Sequence, residues 1–227
     1  MKRSKNTYIV LGVAILLSLF FIVMAGGKEP LLLDRAASEW ASRIVPKSSY
    51  SFFNVLAELG DKAFIGIFVL LMIIWFAIKK RDFLGIAVLV LAVALGNEVS
   101  KWIKELVARE RPAIGAIAET FSFPSGHAMV GLVLYMLIAY FIMKHVQSNR
   151  SKWWLGSMAV FVILLIGVSR IAVQAHYLTD VLGGYSLGIV WTFVWVMIYE
   201  WLHAGLLKTN HGVTSCWCLQ KYGIQIL

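Results

Sequence analysis

The sequence is short of cysteine, proline and charge. Its 227 residues include two cysteines, four prolines and 15% charged side chains. Cys216 and Cys218 both lie near the C-terminus. They imply no disulfide framework, and two cysteines alone make a poor metal site. A soluble domain carries about 25% charged residues. The deficit here, with 60% hydrophobic residues and a mean hydropathy of +0.79, excludes that class. It specifies a polytopic membrane protein built as one bundle. No stretch alternates with the period of two that a membrane β-barrel strand shows, and the chain has no internal repeat or low-complexity tract. The formal net charge of +9 does not point to nucleic acid, because the basic residues fall in short clusters between apolar runs, as membrane topology demands.

What the chain has in quantity is apolar length. Six runs are long enough, or nearly so, to cross about 30 Å of hydrocarbon as helices: Tyr8–Ala25, Ala63–Ile78, Phe83–Leu106, Ala128–His145, Trp153–Val173 and Val181–Leu202. Helices are expected because a backbone in lipid must satisfy its own hydrogen bonds. The fold class is therefore all-α, with six transmembrane helices. The first run follows Lys2, Arg3 and Lys5 like a signal peptide but exceeds an h-region of about 7–15 residues, so it reads as a first span. Residues 1–203 form the membrane domain; 204–227 is a polar tail, disordered or extraneous to the protein.

Lys2/Arg3/Lys5, Lys79/Lys80/Arg81 and Lys144/Arg150/Lys152 share one side of a six-span topology, and Lys208 of the tail joins them. The positive-inside rule places that side, and both termini, in the cytoplasm of a plasma-membrane protein. The long first outer loop carries two amphipathic patterns, Leu33/Ala37/Trp40/Ile44 stopped by Pro46, and Phe52/Val55/Leu56/Leu59 ended by Gly60. Both read as short interfacial helices that pack over the bundle mouth or guide lipid to a site. Asn97 and Glu98 read as a buried polar contact with Lys101 at i+3. Trp153, Trp154 and Trp201 read as belt anchors, and Trp191 and Trp195 as packing.

The remaining polar residues gather at the outer face. Lys104 and Arg111 end the third span, seven residues apart, and share a face if the helix persists to Pro112. Pro124-Ser125-Gly126-His127 opens the fourth, the proline suiting its first turn. A helix start with Ser and Gly is a ready anion site. Arg170 ends the fifth span, and His176 and Asp180 open the sixth at i, i+4, where the carboxylate can fix the histidine's tautomer. Singly, each has a plain structural reading: a headgroup contact for Arg111, snorkelling for Lys104, a structural pair for His176 and Asp180, a satisfied interfacial histidine for His127. Jointly they form a pocket of three cations and a helix start for a multiply charged oxyanion such as phosphate. One histidine can attack phosphorus and the other protonate the leaving oxygen.

These residues resemble the type 2 phosphatidic acid phosphatase family of integral membrane lipid phosphatases. Its three motifs are KxxxxxxRP, matched by Lys104–Pro112; PSGH, matched by Pro124–His127; and SRxxxxxHxxxD, matched by Ser169–Asp180 with every spacing intact. The resemblance implies that Lys104, Arg111, Ser125, Gly126, His127 and Arg170 surround the phosphate. It implies that His176 is the nucleophile of a phosphohistidine intermediate, Asp180 orients it, and His127 supplies the leaving-group proton. It implies no metal or other cofactor, in accord with the lack of a carboxylate cluster suited to Mg²⁺. The chain's size and single-domain build resemble those members that convert phosphatidylglycerol phosphate to phosphatidylglycerol at the outer leaflet. Undecaprenyl pyrophosphate and phosphatidic acid are the alternative substrates. The expected partners are the lipid phosphate and the bilayer, with no nucleic acid and no obligate protein partner. A lipid or anion transporter would place charge nearer the midplane and often repeat its helices. A vanadate-dependent haloperoxidase would be soluble.

Overall fold

The computed structural model describes residues 5–80, 82–112 and 121–221, with Lys80 and residues 207–221 by backbone alone. Lys2, Arg3 and Arg81 of the basic clusters lie outside the described residues. Among the described residues the fold is all-helical, and six helical stretches are long and apolar enough to cross a membrane. The elements are α1 (Lys5–Gly26), α2 (Leu32–Ile44), α3 (Tyr50–Glu58), α4 (Lys62–Trp75), α5 (Phe83–Val107), α6 (Gly126–Met143), α7 (Asn149–Ala172) and α8 (Leu178–Lys221). The second span is the stretch Lys47–Lys79, which joins α3, α4 and a π-helical turn at Phe76–Lys80. The backbone of α8 continues beyond the sixth span, which ends at Leu206.

Short polar side chains start several of these helices. Asp61 Oδ1 accepts from Ala63 N at 3.2 Å and caps α4, Asp82 Oδ1 accepts from Gly85 N at 2.7 Å at the start of α5, and Ser148 Oγ accepts from Ser151 N at the start of α7. Each satisfies one of the N–H groups that a helix start leaves unpaired.

Two sequence expectations about helix ends need correction. The third span does not persist to Pro112: α5 ends at Val107, and Ala108 turns left-handed at φ 49° with its N–H closed on Lys104 O at 2.8 Å. Such a cap leaves the following residues free of the helix. Nor does Pro124 sit in the first turn of α6. Ser125 is the N-cap and the helix begins at Gly126.

α6 is the most buried span, and α1 and the α4 stretch are the least. It packs among α5, α7 and α8 through a core that includes Leu89, Ala92, Val133, Leu134, Leu137 and Ile166. At the start of α6, α8 approaches very closely: a Cβ on Gly184 would lie 2.9 Å from Ser125 O. Glycine is required there because no side chain fits between the two backbones. Trp191 Nε1 donates to Ala92 O at 2.8 Å, which makes it a packing residue. Trp153, Trp154 and Trp201 point out of the bundle.

The two amphipathic helices exist, but their apolar stripes face outward. Leu33, Trp40 and Ile44 of α2 and Phe52 and Val55 of α3 are exposed, whereas α2 buries Asp34 and Ala41. Glu98 and Lys101 do pair, at 2.6 Å, but both are exposed rather than buried.

Candidate active site

The three predicted motifs converge on one end of the bundle. A cavity of about 470 Å³ is lined there by Lys104, Arg111, Gly126, His127, Arg170 and His176. Its flank is apolar and runs along α4 and α5, past Ile65, Val69, Val90, Val93 and Ala94. A polar end and a greasy wall in one cavity suit a ligand with a charged head and an apolar tail.

Each side chain is placed by local structure. Lys104, in the last turn of α5, donates from Nζ to Phe121 O at 2.7 Å, which fastens the chain leading into α6. Ser125 N–H donates to Asp180 O at 3.0 Å, so the start of α6 is pinned to the start of α8. Ser125 Oγ is buried without a hydrogen-bond partner. Burying such a hydroxyl is costly unless a ligand uses it. Arg170 ends α7; its carbonyl accepts from Ala175 N and His176 N, at 3.0 and 3.3 Å, and so shapes the turn that carries His176.

His176 is buried in that turn, ahead of the first residue of α8. Arg111 Nη1 lies 3.3 Å from His176 Nε2 and donates to Ala175 O at 2.9 Å. Guanidinium has only donors, so Nε2 accepts and the ring proton belongs on Nδ1. Nδ1 faces Asp180 Oδ2 at 3.7 Å, an ion-pair distance longer than a closed hydrogen bond. The i, i+4 pair is thus made by a turn rather than by one helix face. Burial pushes the His176 ring down to about 4, against the upward pull of Asp180, and Lys104 and Arg111 reinforce the fall. A neutral, desolvated imidazole whose Nε2 lone pair is held, among the described residues, only by Arg111 suits a nucleophile rather than a cation. Among the described residues no group of three His, Cys, Asp or Glu side chains is placed to hold a metal ion.

The profile of the PAP2 superfamily matches residues 84–204, which span all three motifs. The chain belongs to the PAP2 superfamily. Phosphatidylglycerophosphatase B of Bacillus subtilis (strain 168) is 29% identical over 184 residues, 78% of this chain and 90% of that protein. The crystal structure of a transmembrane PAP2-type phosphatidylglycerolphosphate phosphatase from Bacillus subtilis matches with a TM-score of 0.71 at 29% identity, covering 82% of this chain and 96% of that one. Aquifex aeolicus LpxE shares the fold, with a TM-score of 0.57 at 21% identity over 74% of this chain and 96% of its own. This PAP2 protein is a multi-pass membrane phosphatase, a phosphoric monoester hydrolase similar to phosphatidylglycerophosphatase B.

The PAP2 motifs omit a second set of residues that the fold brings to the same place. Arg109, two residues before Arg111, is fully buried. It donates to Asp180 Oδ1 and to Asp34 Oδ2, each at 2.7 Å, and to Thr179 Oγ1 at 2.8 Å. Its guanidinium lies 4.4 Å from the centre of the Tyr177 ring. Asp34, from α2, also accepts from Thr179 N and Thr179 Oγ1, both at 2.9 Å. Asp180 Oδ2 accepts from Tyr177 N at 2.9 Å. The Asp180 carboxylate is therefore held on both oxygens, by Arg109 and by the Tyr177 N–H, before it meets His176. Neither Arg109 nor Asp34 is a specified position of any of the three motifs. A charged residue on the polar side of an amphipathic helix gave no sign of burial.

Proposed function

We propose that this phosphatase removes the terminal phosphate of phosphatidylglycerol phosphate to yield phosphatidylglycerol, at the extracytoplasmic face, with both termini cytoplasmic and residues 1–203 as the catalytic domain. The observation that carries the reading is the cavity in which the polar motif residues meet an apolar wall along α4 and α5. The 29% identity to phosphatidylglycerophosphatase B over most of both chains supports the choice of headgroup.

In this reading Lys104, Arg111 and Arg170 supply positive charge around the phosphate, and Ser125 Oγ and the Gly126 N–H add donors at the start of α6. Bound phosphate draws Arg111 toward itself and frees His176 Nε2. The Nε2 lone pair attacks phosphorus. The bond from phosphorus to the glycerol oxygen breaks with its electron pair on oxygen, and that oxygen takes a proton from His127. Asp180 stabilises the positive charge that develops on the His176 ring, whose Nδ1 proton faces it. Water then attacks the phosphohistidine and gives a proton to His127. The P–N bond breaks, its pair returns to His176, and inorganic phosphate leaves. The charge is supplied by side chains and a helix start, without a metal.

A phosphate-release panel in lipid nanodiscs tests this. Phosphatidylglycerol phosphate is expected to turn over faster than undecaprenyl pyrophosphate, phosphatidic acid or a soluble phosphate ester, and equally well in excess EDTA. His176→Ala is expected to fold and to release no phosphate. A faster reaction with undecaprenyl pyrophosphate would reassign the substrate, and wild-type turnover by His176→Ala would remove the nucleophile.

A further inference from the structure

The acid role of His127 raises a physical difficulty. An acid must hold its proton at the working pH, yet His127 stands among cations. Lys104 on α5, Arg111 in the chain after it, Arg170 at the end of α7 and Lys62 at the start of α4 all line the same cavity, as does His176. Each positive charge disfavours a second one on the imidazole.

One side chain opposes them. Asp61 Oδ2 lies 3.7 Å from His127 Nε2. Among the described residues, every other ionisable side chain lining the cavity is a lysine, an arginine or a histidine. The placement of Asp61 is built in twice over. Its other oxygen, Oδ1, is engaged in capping α4 through Ala63 N at 3.2 Å. The residue before it, Gly60, rests directly on His127: a Cβ there would lie 3.2 Å from both His127 Cβ and His127 O, and 2.9 Å from the Ile166 side chain. The absence of a side chain at position 60 lets the turn before α4 settle against the first turn of α6.

We propose that Asp61 is a positioning residue of this site, holding on His127 Nε2 the proton that passes to the leaving oxygen. The proposal rests on the reading of His127 as the acid. At 3.7 Å the carboxylate acts by charge and does not lock the proton in a short hydrogen bond, so the leaving oxygen can take it. The proton moves from Nε2 to oxygen as the P–O bond breaks, and a proton from the attacking water restores it.

The test is leaving-group dependence. An alkoxide needs a proton to depart, and a nitrophenolate does not. Asp61→Asn keeps a capping oxygen and the side-chain volume and loses only the charge. In nanodiscs, kcat/KM is measured from pH 5 to 9 for phosphatidylglycerol phosphate and for a lipid-anchored 4-nitrophenyl phosphate. For Asp61→Asn the alkyl-to-aryl ratio is expected to fall about tenfold, and the basic limb for the alkyl substrate to move down by about one pH unit, since one pKa unit is a tenfold change in protonation. Asp61→Glu is expected to recover part of both. An unchanged ratio, or an equal loss on both substrates, overturns the proposal. His127→Ala separates the two levels: if it too slows both substrates equally, the acid reading itself fails. If it lowers the ratio and Asp61→Asn does not, Asp61 alone is wrongly assigned.

Discussion

At the scale of single residues, the proposed chemistry requires one histidine to be neutral and another to hold a proton. His176 is buried and pushed down to about 4, so it carries its lone pair at any pH above that. The acid limb of kcat/KM is therefore expected well below the ordinary histidine range, near pH 4 to 5. Asp180 pulls the same ring upward. Asp180→Asn should move the acid limb lower still, not higher, while kcat falls by about 10²–10³-fold because the developing imidazolium loses its partner. A pH–rate profile of both proteins checks the sign. An acid limb that rises in the variant would mean that Asp180 does not act on His176 through charge. Arg109 and Arg111 show how little residue type alone decides. They are two positions apart in one loop; one is sealed among carboxylates and the other lines the cavity.

At the scale of elements, α2 is part of the site although no motif lies in it. Asp34 reaches Thr179 and Arg109, and Gln174 Nε2 donates to Ser38 O at 3.0 Å. The helix thereby clamps the turn between α7 and α8. Arg109→Met would leave the buried carboxylates of Asp34 and Asp180 facing each other without a cation. Breaking a buried ion pair from one side costs about 3–5 kcal/mol. The variant is expected to lose that much in thermal or denaturant unfolding in detergent, and Asp34→Asn to lose less because its amide can still accept from Thr179. Equal, small losses from both would show that the hub does not hold the turn. The sequence pattern predicted α2 as an interfacial amphipathic helix that packs over the bundle mouth or guides lipid, and did not show which side faces the bundle. Its apolar stripe, Leu33, Trp40 and Ile44, is the outward face. The inward face is set by charge partners at positions 109 and 179, which no local periodicity encodes.

At the scale of the whole molecule, the basic clusters are the ground for the proposed orientation and the motifs for the proposed working end. The proposed topology has a direct check. In a Cys216→Ser, Cys218→Ser background, Ser48→Cys should react with a membrane-impermeant maleimide added to intact cells, and Ser148→Cys only after lysis. The reverse pattern would invert the protein. Much of the architecture was legible because hydrocarbon thickness and backbone satisfaction leave few options, which is why six runs became six spans. The motif residues were legible because Lys104, Arg111, His127, Arg170 and His176 are costly at a membrane boundary without a shared purpose. Arg109, Asp34 and Asp61 were not, since each gains its meaning from a partner far away in the chain. Asp34 and Thr179 are 145 positions apart, and Arg109 joins both. This separation bears on how the protein is made. Helices enter the membrane in order, so Arg109 arrives before Thr179 and Asp180 exist to receive it, and the carboxylate that faces His176 cannot be fixed until α8 is in place. In the proposed mechanism the site is therefore complete only once α8 is inserted, and a nascent chain halted after α7 would carry Lys104, Arg111 and Arg170 without the carboxylate that faces His176.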